Sequence, residues 1–202
     1  MNNSRNLHEK KFPPGRIKIV KALSKLLETQ RFNDITTSEI AKTAGVTEAL
    51  IYKYFKDKRD LLHEVLREYL EDYVFQMKQK TKNIKNWKER LYTLLKLHFH
   101  LYSINRVLPK ILLLEVRNSH SFYENPTYAV VQEYSDDILE IIEEGIRCGD
   151  IRDNISTKAM RQFILGGFEH FILPKIIFNL KIDEDTLTQD LCELVFHGIL
   201  KD

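Results

Sequence analysis

Between Thr47 and Tyr54 the chain carries side chains that suit the edges of base pairs. Lys53 can donate to guanine acceptors, and Glu48 can accept from cytosine. Ala49 or Leu50 can touch a thymine methyl. Four such residues spaced along one short helix could read a major groove. They are useful only if that helix is held rigidly and presented outward.

The flanking residues predict how it is held. Thr36 is an N-cap candidate, and Glu39 three positions on completes a capping box. Ile35 and Ile40 form the accompanying hydrophobic staple. A first helix over roughly Thr37–Thr43 turns Ile40 and Ala41 inward. Gly45 supplies a left-handed turn, and Val46 plugs the gap between two helices. Thr47 then caps a second helix over Glu48–Tyr54. Asp57 caps the helix after that, with Asp60 three positions on. The layout is a helix-turn-helix whose second helix enters the major groove.

Charge supports this placement. The whole chain carries only +2. Residues 1–60, however, hold 13 Lys and Arg against 7 Asp and Glu, a net +6. The remainder holds 18 against 22, a net −4. Lys and Arg that neutralise phosphates drive non-specific, salt-dependent DNA binding. The alternative is an ordinary solvated surface. Coincidence of the basic end with the motif favours DNA.

The block from Phe32 to Leu62 resembles the TetR family of bacterial transcriptional regulators. Ile40, Ala41, Ala44, Gly45, Val46, Ile51, Tyr52, Tyr54, Phe55, Lys58 and Leu61 carry the resemblance, with Thr36, Thr37 and Phe32 also fitting. The run Ile51-Tyr52-Lys53-Tyr54-Phe55, followed by Lys58, is its specific part. It implies phosphate contacts at Thr37, Tyr52 and Lys58, whose hydroxyl and ammonium donors suit that role. Thr36 and Thr47, at the two helix starts, belong to the same interface. Packing in the small core is the other reading of Tyr52. Lys10, Lys11 and Arg16 either touch the DNA backbone or minor groove or belong to a solvated tail. Leu50 and Glu48 depart from many relatives, so the operator sequence cannot be carried over.

The remaining segments read as helices, giving an all-α protein. With only 7 Gly and 5 Pro in 202 residues, long helices are favoured over turn-rich sheets. Residues up to about Gly15 form a basic arm, with Pro13-Pro14-Gly15 blocking a helix. Helices are expected over roughly Arg16–Gln30, Lys58–Lys80, Trp87–Ser103, Arg106–Asn118, Pro126–Cys148, Thr157–Asn179 and Glu184–Leu200. A domain boundary near residue 60 divides the arm and helix-turn-helix (1–60) from a ligand-binding and dimerisation part (61–202). There is no secretory leader and no apolar run long enough to span a membrane, so a cytoplasmic protein with no membrane partner is expected. Cys148 and Cys192 form no CxxC pair and read as reduced, buried thiols.

Residues 61–202 show no phosphate loop, nucleophile elbow or HExxH, so neither an enzyme nor a cofactor is expected. His98 and His100 are two apart on a helix and point to different faces, which argues against a shared metal. Polar groups amid apolar helices, namely His98, Tyr102, Glu115, Arg117, Tyr128 and Glu169, are the candidates to line a small-molecule site in a bundle. Each read singly is an ordinary core or surface residue. The order Glu144-Gly145, Gly149, Ile151, then Ile164 to Glu169, is similar to the fatty-acid-degradation repressors of the family, which implies a long-chain acyl-CoA or fatty-acid effector.

The family resemblance also implies dimerisation through the last two long helices. Phe163, Gly167, Phe171, Leu191, Leu194 and Val195 are the interface candidates, and burial inside the subunit is the alternative. Pro174 should kink or end its helix. Together these readings describe a homodimeric repressor, bound to a palindromic double-stranded operator and released by a largely apolar effector. A DNA-binding structural or cell-division protein on the same fold is the alternative.

Overall fold

The computed structural model describes residues 12–200, which are almost wholly helical. The chain divides into two compact units, Met1–Leu66 and Arg67–Asp202.

In the first unit, α1 (Pro14–Leu27) buries Ile19, Val20, Leu23 and Leu27 on one stripe. It starts earlier than expected. Pro14 occupies the first turn, where no N–H is needed, so the Pro-Pro-Gly run opens the helix instead of blocking it. Gly15 lies inside α1 because Leu50 approaches it; a Cβ there would stand 2.9 Å from Leu50 Cδ2. A single 3-10 turn, Phe32–Asp34, leads into α2 (Thr37–Ala44). Gly45 adopts φ 65, ψ 42 and ends α2, and α3 (Glu48–Tyr54) follows. Next, α4 (Lys58–Thr81) starts in the first unit. Its start is fixed by two carboxylates. Asp57 Oδ1 accepts from the Asp60 N–H at 2.8 Å, and Asp60 Oδ2 accepts from the Lys56 N–H at 3.0 Å.

The second unit is a helical bundle of α5 (Trp87–Ile104), α8 (Pro126–Arg147), α9 (Thr157–Ile177) and α10 (Glu184–Ile199). Between α5 and α8 run a short α6 (Val107–Pro109), a π-helical stretch over Lys110–Val116, and α7 (His120–Tyr123). Helix starts are marked by side-chain caps. Asn86, Ser156 and Asp183 accept from the N–H of Glu89, Ala159 and Thr186 at 3.1, 3.2 and 3.2 Å. The core gathers Leu91, Leu95 and Phe99 of α5, Ile138 and Ile142 of α8, Ile164, Phe168 and Ile172 of α9, and Leu191 and Val195 of α10. Pro174 does not end α9, which continues to Ile177. Arg106 ties down its end and the segment after it, its guanidinium donating to Lys175 O and Leu180 O at 3.3 and 2.7 Å. No helix among the described residues is long and apolar enough to cross a membrane.

Candidate functional site

In α3, only Ile51 is buried. Glu48, Ala49, Tyr52 and Lys53 are exposed, Tyr52 by 56%. The exposure of Tyr52 disfavours the core-packing alternative. Leu50 is only half exposed, because it leans on Gly15 of α1, so it is less available for a thymine methyl than expected. Lys10 and Lys11 lie outside the described residues. Arg16 is not a free contact: it is buried, pairs with Glu64 at 2.7 Å and stacks 3.7 Å over the Phe12 ring.

Side chains also fix α3 against α2. Thr37 Oγ1 donates to Glu48 Oε2 at 3.0 Å, so one hydroxyl joins the two helix starts. Thr36 caps α2 as expected, accepting from the Glu39 N–H at 3.1 Å. The reciprocal half of the box is replaced: the Glu39 carboxylate accepts instead from Gln30 Nε2 at 2.6 Å. Thr47 holds the N-cap position of α3, but its hydroxyl makes no capping bond. Lys58 differs most from its expected role. Its half-buried ammonium donates to Phe32 O at 2.9 Å and Ile35 O at 2.6 Å, and lies 4.4 Å from the Phe32 ring centroid. Two of its three protons therefore hold the turn before α2.

The second unit encloses a cavity of about 380 Å³, within the usual range for small-molecule sites. Five of the six expected residues line it: His98, Tyr102, Arg117, Tyr128 and Glu169. Glu115 does not. The π-helical stretch directs Leu112 into the cavity and leaves Arg117 at its end, whereas Glu115 stays half exposed on another face.

The cavity interior is aromatic. His98 stacks on Phe168 with centroids 3.8 Å apart and shares a 2.6 Å hydrogen bond, through Nδ1, with the Tyr134 hydroxyl. Tyr73 and Tyr102 pack on the same imidazole at 5.2 and 4.7 Å. Burial disfavours the charged imidazolium and pushes His98 down to about 3, so the ring is neutral near pH 7. Toward solvent the lining becomes polar. Arg117 pairs with Glu169, and Arg161 pairs with Asp136 at 3.2 Å. Gln132, Ser135 and Gln162 complete this rim. Tyr73 and Tyr134 show in the sequence only as members of core stripes, and nothing local marks Arg161 or Asp136. The other histidine, His100, faces away and meets Glu184 at 2.7 Å.

A family model described as "Bacterial regulatory proteins, tetR family" matches residues 19–65, and one described as "YsiA-like protein, C-terminal region" matches residues 66–198. The chain belongs to the tetR family of bacterial regulatory proteins. It is a DNA-binding transcriptional regulator, with the reading helix α3 in the first matched region and the cavity in the second. It is 27% identical, over 92% of its length and 96% of the relative's, to the fatty acid metabolism regulator protein of Bacillus subtilis. The crystal structure of FadR from Bacillus subtilis in complex with stearoyl-CoA is similar, with a TM-score of 0.81 and 27% identity, covering 91% of this chain and 98% of that one. The nucleoid occlusion factor SlmA of Marinobacter nauticus is 44% identical, but over only 63 residues, 31% of this chain and 32% of that protein.

The tetR-family assignment directs attention to α9 and α10 as a pairing face. Phe163 and Leu194 are 59% and 58% exposed, large apolar groups unlike those of a closed surface. Phe171 is half-buried. Leu191 and Val195, by contrast, are buried in the subunit's own core and offer no surface. Gly167 explains why: a Cβ there would lie 3.0 Å from Leu191 Cδ1, so this glycine admits α10 of the same chain. Both thiols were expected to be buried. Cys192 is, and burial pushes it up to about 12, whereas Cys148 is exposed.

Proposed function

We propose that the chain is a homodimeric repressor, acting in the cytoplasm, that leaves a palindromic operator when a long-chain acyl-CoA or fatty acid fills the cavity. One observation carries this reading: an aromatic and aliphatic cavity of about 380 Å³, with charged pairs only at its rim, lies in the unit that does not read DNA. Such a lining suits an elongated apolar body with a polar head. The relative solved with stearoyl-CoA supports that class.

Each subunit presents one α3, and two subunits related by a two-fold axis would read half-sites about one helical turn or a multiple apart. Ala49 and Lys53 reach base edges in this reading, while Tyr52 contacts phosphate. Phe163 and Leu194 face the second copy. The effector releases DNA because it binds better to a conformation unsuited to the operator. By reciprocity, operator binding weakens effector binding by the same factor, typically about 5–150-fold.

The test is a titration of acyl-CoAs of graded chain length against protein bound to an operator selected from random duplexes. Release should strengthen with length, since each buried methylene adds about 0.8 kcal/mol. It should level off once the cavity is full. No release at any length would overturn the effector reading and leave the DNA-binding assignment untouched.

A further inference from the structure

The inner wall of the cavity is not apolar throughout. His98 and Tyr102 lie one helical turn apart on α5, so both side chains share one face. Their rings meet edge to face at 4.7 Å, and both residues are at least nine-tenths buried. His98 Nδ1 is committed to Tyr134. The direction of that bond depends on the imidazole tautomer; with the Tyr134 O–H donating to Nδ1, the ring proton sits on Nε2. Among the described residues neither that Nε2–H nor the Tyr102 O–H makes a side-chain hydrogen bond, and neither atom is sealed off from accessible space. Both residues line the cavity.

Two donors that open on the cavity meet whatever fills it. Once a ligand displaces water from the cavity, a polar group left without a partner loses its hydration with no return, and such groups in native proteins are nearly always satisfied by protein, water or ligand. A saturated acyl chain would lie across both donors and satisfy neither. An oxygen at that depth would take both. Burial keeps the imidazole neutral, so the partner is a neutral oxygen and not a carboxylate, which would need a cation beside it. The two arginines that line the cavity, Arg117 and Arg161, are already paired with Glu169 and Asp136.

We propose that the inner wall selects an oxygenated acyl chain, whose hydroxyl or carbonyl oxygen accepts from His98 Nε2–H and Tyr102 O–H. This rests on the reading of the cavity as the effector site and narrows its ligand class. The rim charges take the polar head, the aliphatic lining takes the methylenes, and the His98–Tyr102 pair sets the position of the oxygen along the chain.

The test uses calorimetric binding of stearoyl-CoA and of a series of hydroxystearoyl-CoAs with the hydroxyl moved along the chain. The full-length protein is compared with His98→Phe and Tyr102→Phe, whose folding is checked by circular dichroism. One isomer should bind wild type about tenfold tighter than the saturated chain. Each variant should lose most of that preference while binding saturated stearoyl-CoA at least as tightly as wild type. If one variant misfolds, the other decides. Equal affinity of wild type for saturated and all hydroxylated chains would overturn the selection while leaving the effector reading standing. So would a preference that survives in the folded variants. Binding of none of these ligands would overturn both.

Discussion

In Met1–Leu66 polar side chains that act over three or four residues fix the starts of α2 and α4, and Thr37, Lys58 and Arg16 supply longer ties. Thr36 caps Glu39, and Asp57 and Asp60 fix the start of α4. In Arg67–Asp202 the corresponding bonds join distant segments: His98 with Tyr134, Trp87 Nε1 with Asp150 at 2.7 Å, His100 with Glu184, Arg117 with Glu169. The first unit builds a protruding helix, which needs only its ends fixed. The second builds a void, whose walls are brought from every helix from α4 through α9. A reading head can therefore be written in one short stretch of sequence, whereas a cavity cannot.

The largest expected effect lies at the wall of that void. Phe168 is buried and stacks on His98 while touching Phe99 and Tyr102, with centroids at 3.8, 4.5 and 5.5 Å. Phe168→Ala should destabilise the second unit by about 3–5 kcal/mol. The measurement is thermal or urea unfolding. A loss under about 1 kcal/mol would mean that the aromatic cluster is not what holds the cavity open, and that the two units differ less than their bonding suggests.

The same contrast explains what the sequence discloses. Helix starts are legible because caps act within one turn: Asn86, Ser156 and Asp183 stand where the helical pattern begins. Gly45 is legible because a left-handed residue must end α2 there. Five of the six residues expected from the sequence as polar groups amid apolar helices do line the cavity. Glu115 misleads because the sequence gives no sign that Lys110–Val116 would wind as a π-helix, which changes the face each residue presents. Leu191 and Val195 mislead because an apolar stripe does not say whether its cover is the same chain or another. Pro14 misleads because proline stops a helix from within but opens one at its first turn. Within the first unit, the long-range bonds of Lys58 and Arg16 are as illegible as those of the second.

Lys58 offers the next test, because it makes the first unit's long-range hydrogen bonds to the turn before α2. A phosphate contact and a clamp on Phe32 O and Ile35 O make different demands on its ammonium. Lys58→Met keeps the stem over the Phe32 ring and removes both bonds. Hydrogen bonds to a charged donor are worth about 1.5–3 kcal/mol. Partial exposure of this group favours the lower end of that range. The first unit should lose roughly 1.5 kcal/mol of stability, and DNA affinity should fall equally for all sequences. The salt dependence of binding should stay unchanged. A slope reduced by about one unit would instead identify Lys58 as a phosphate ligand.

The smallest effect separates two threonines that look alike in sequence. Thr36 and Thr47 each precede a helix of the motif, and each is followed three residues on, or sooner, by groups that could share in capping. Only Thr36 uses its hydroxyl in that way, accepting from the Glu39 N–H at 3.1 Å. The start of α3 is held differently, by the Thr37 hydroxyl on the Glu48 carboxylate. Loss of a working N-cap costs about 1 kcal/mol, while an exposed side chain without such a role is worth at most about 0.5 kcal/mol. Thr36→Ala should therefore lower stability by about 1 kcal/mol, and Thr47→Ala by no more than half of that. Thr37→Val should act on α3 more than Thr47→Ala does, because it removes the bond that joins the two helices. Urea unfolding of the three variants decides the matter. A Thr47→Ala loss equal to that of Thr36→Ala would show that both helices are capped locally, and that the long-range tie through Glu48 contributes little to positioning the reading helix.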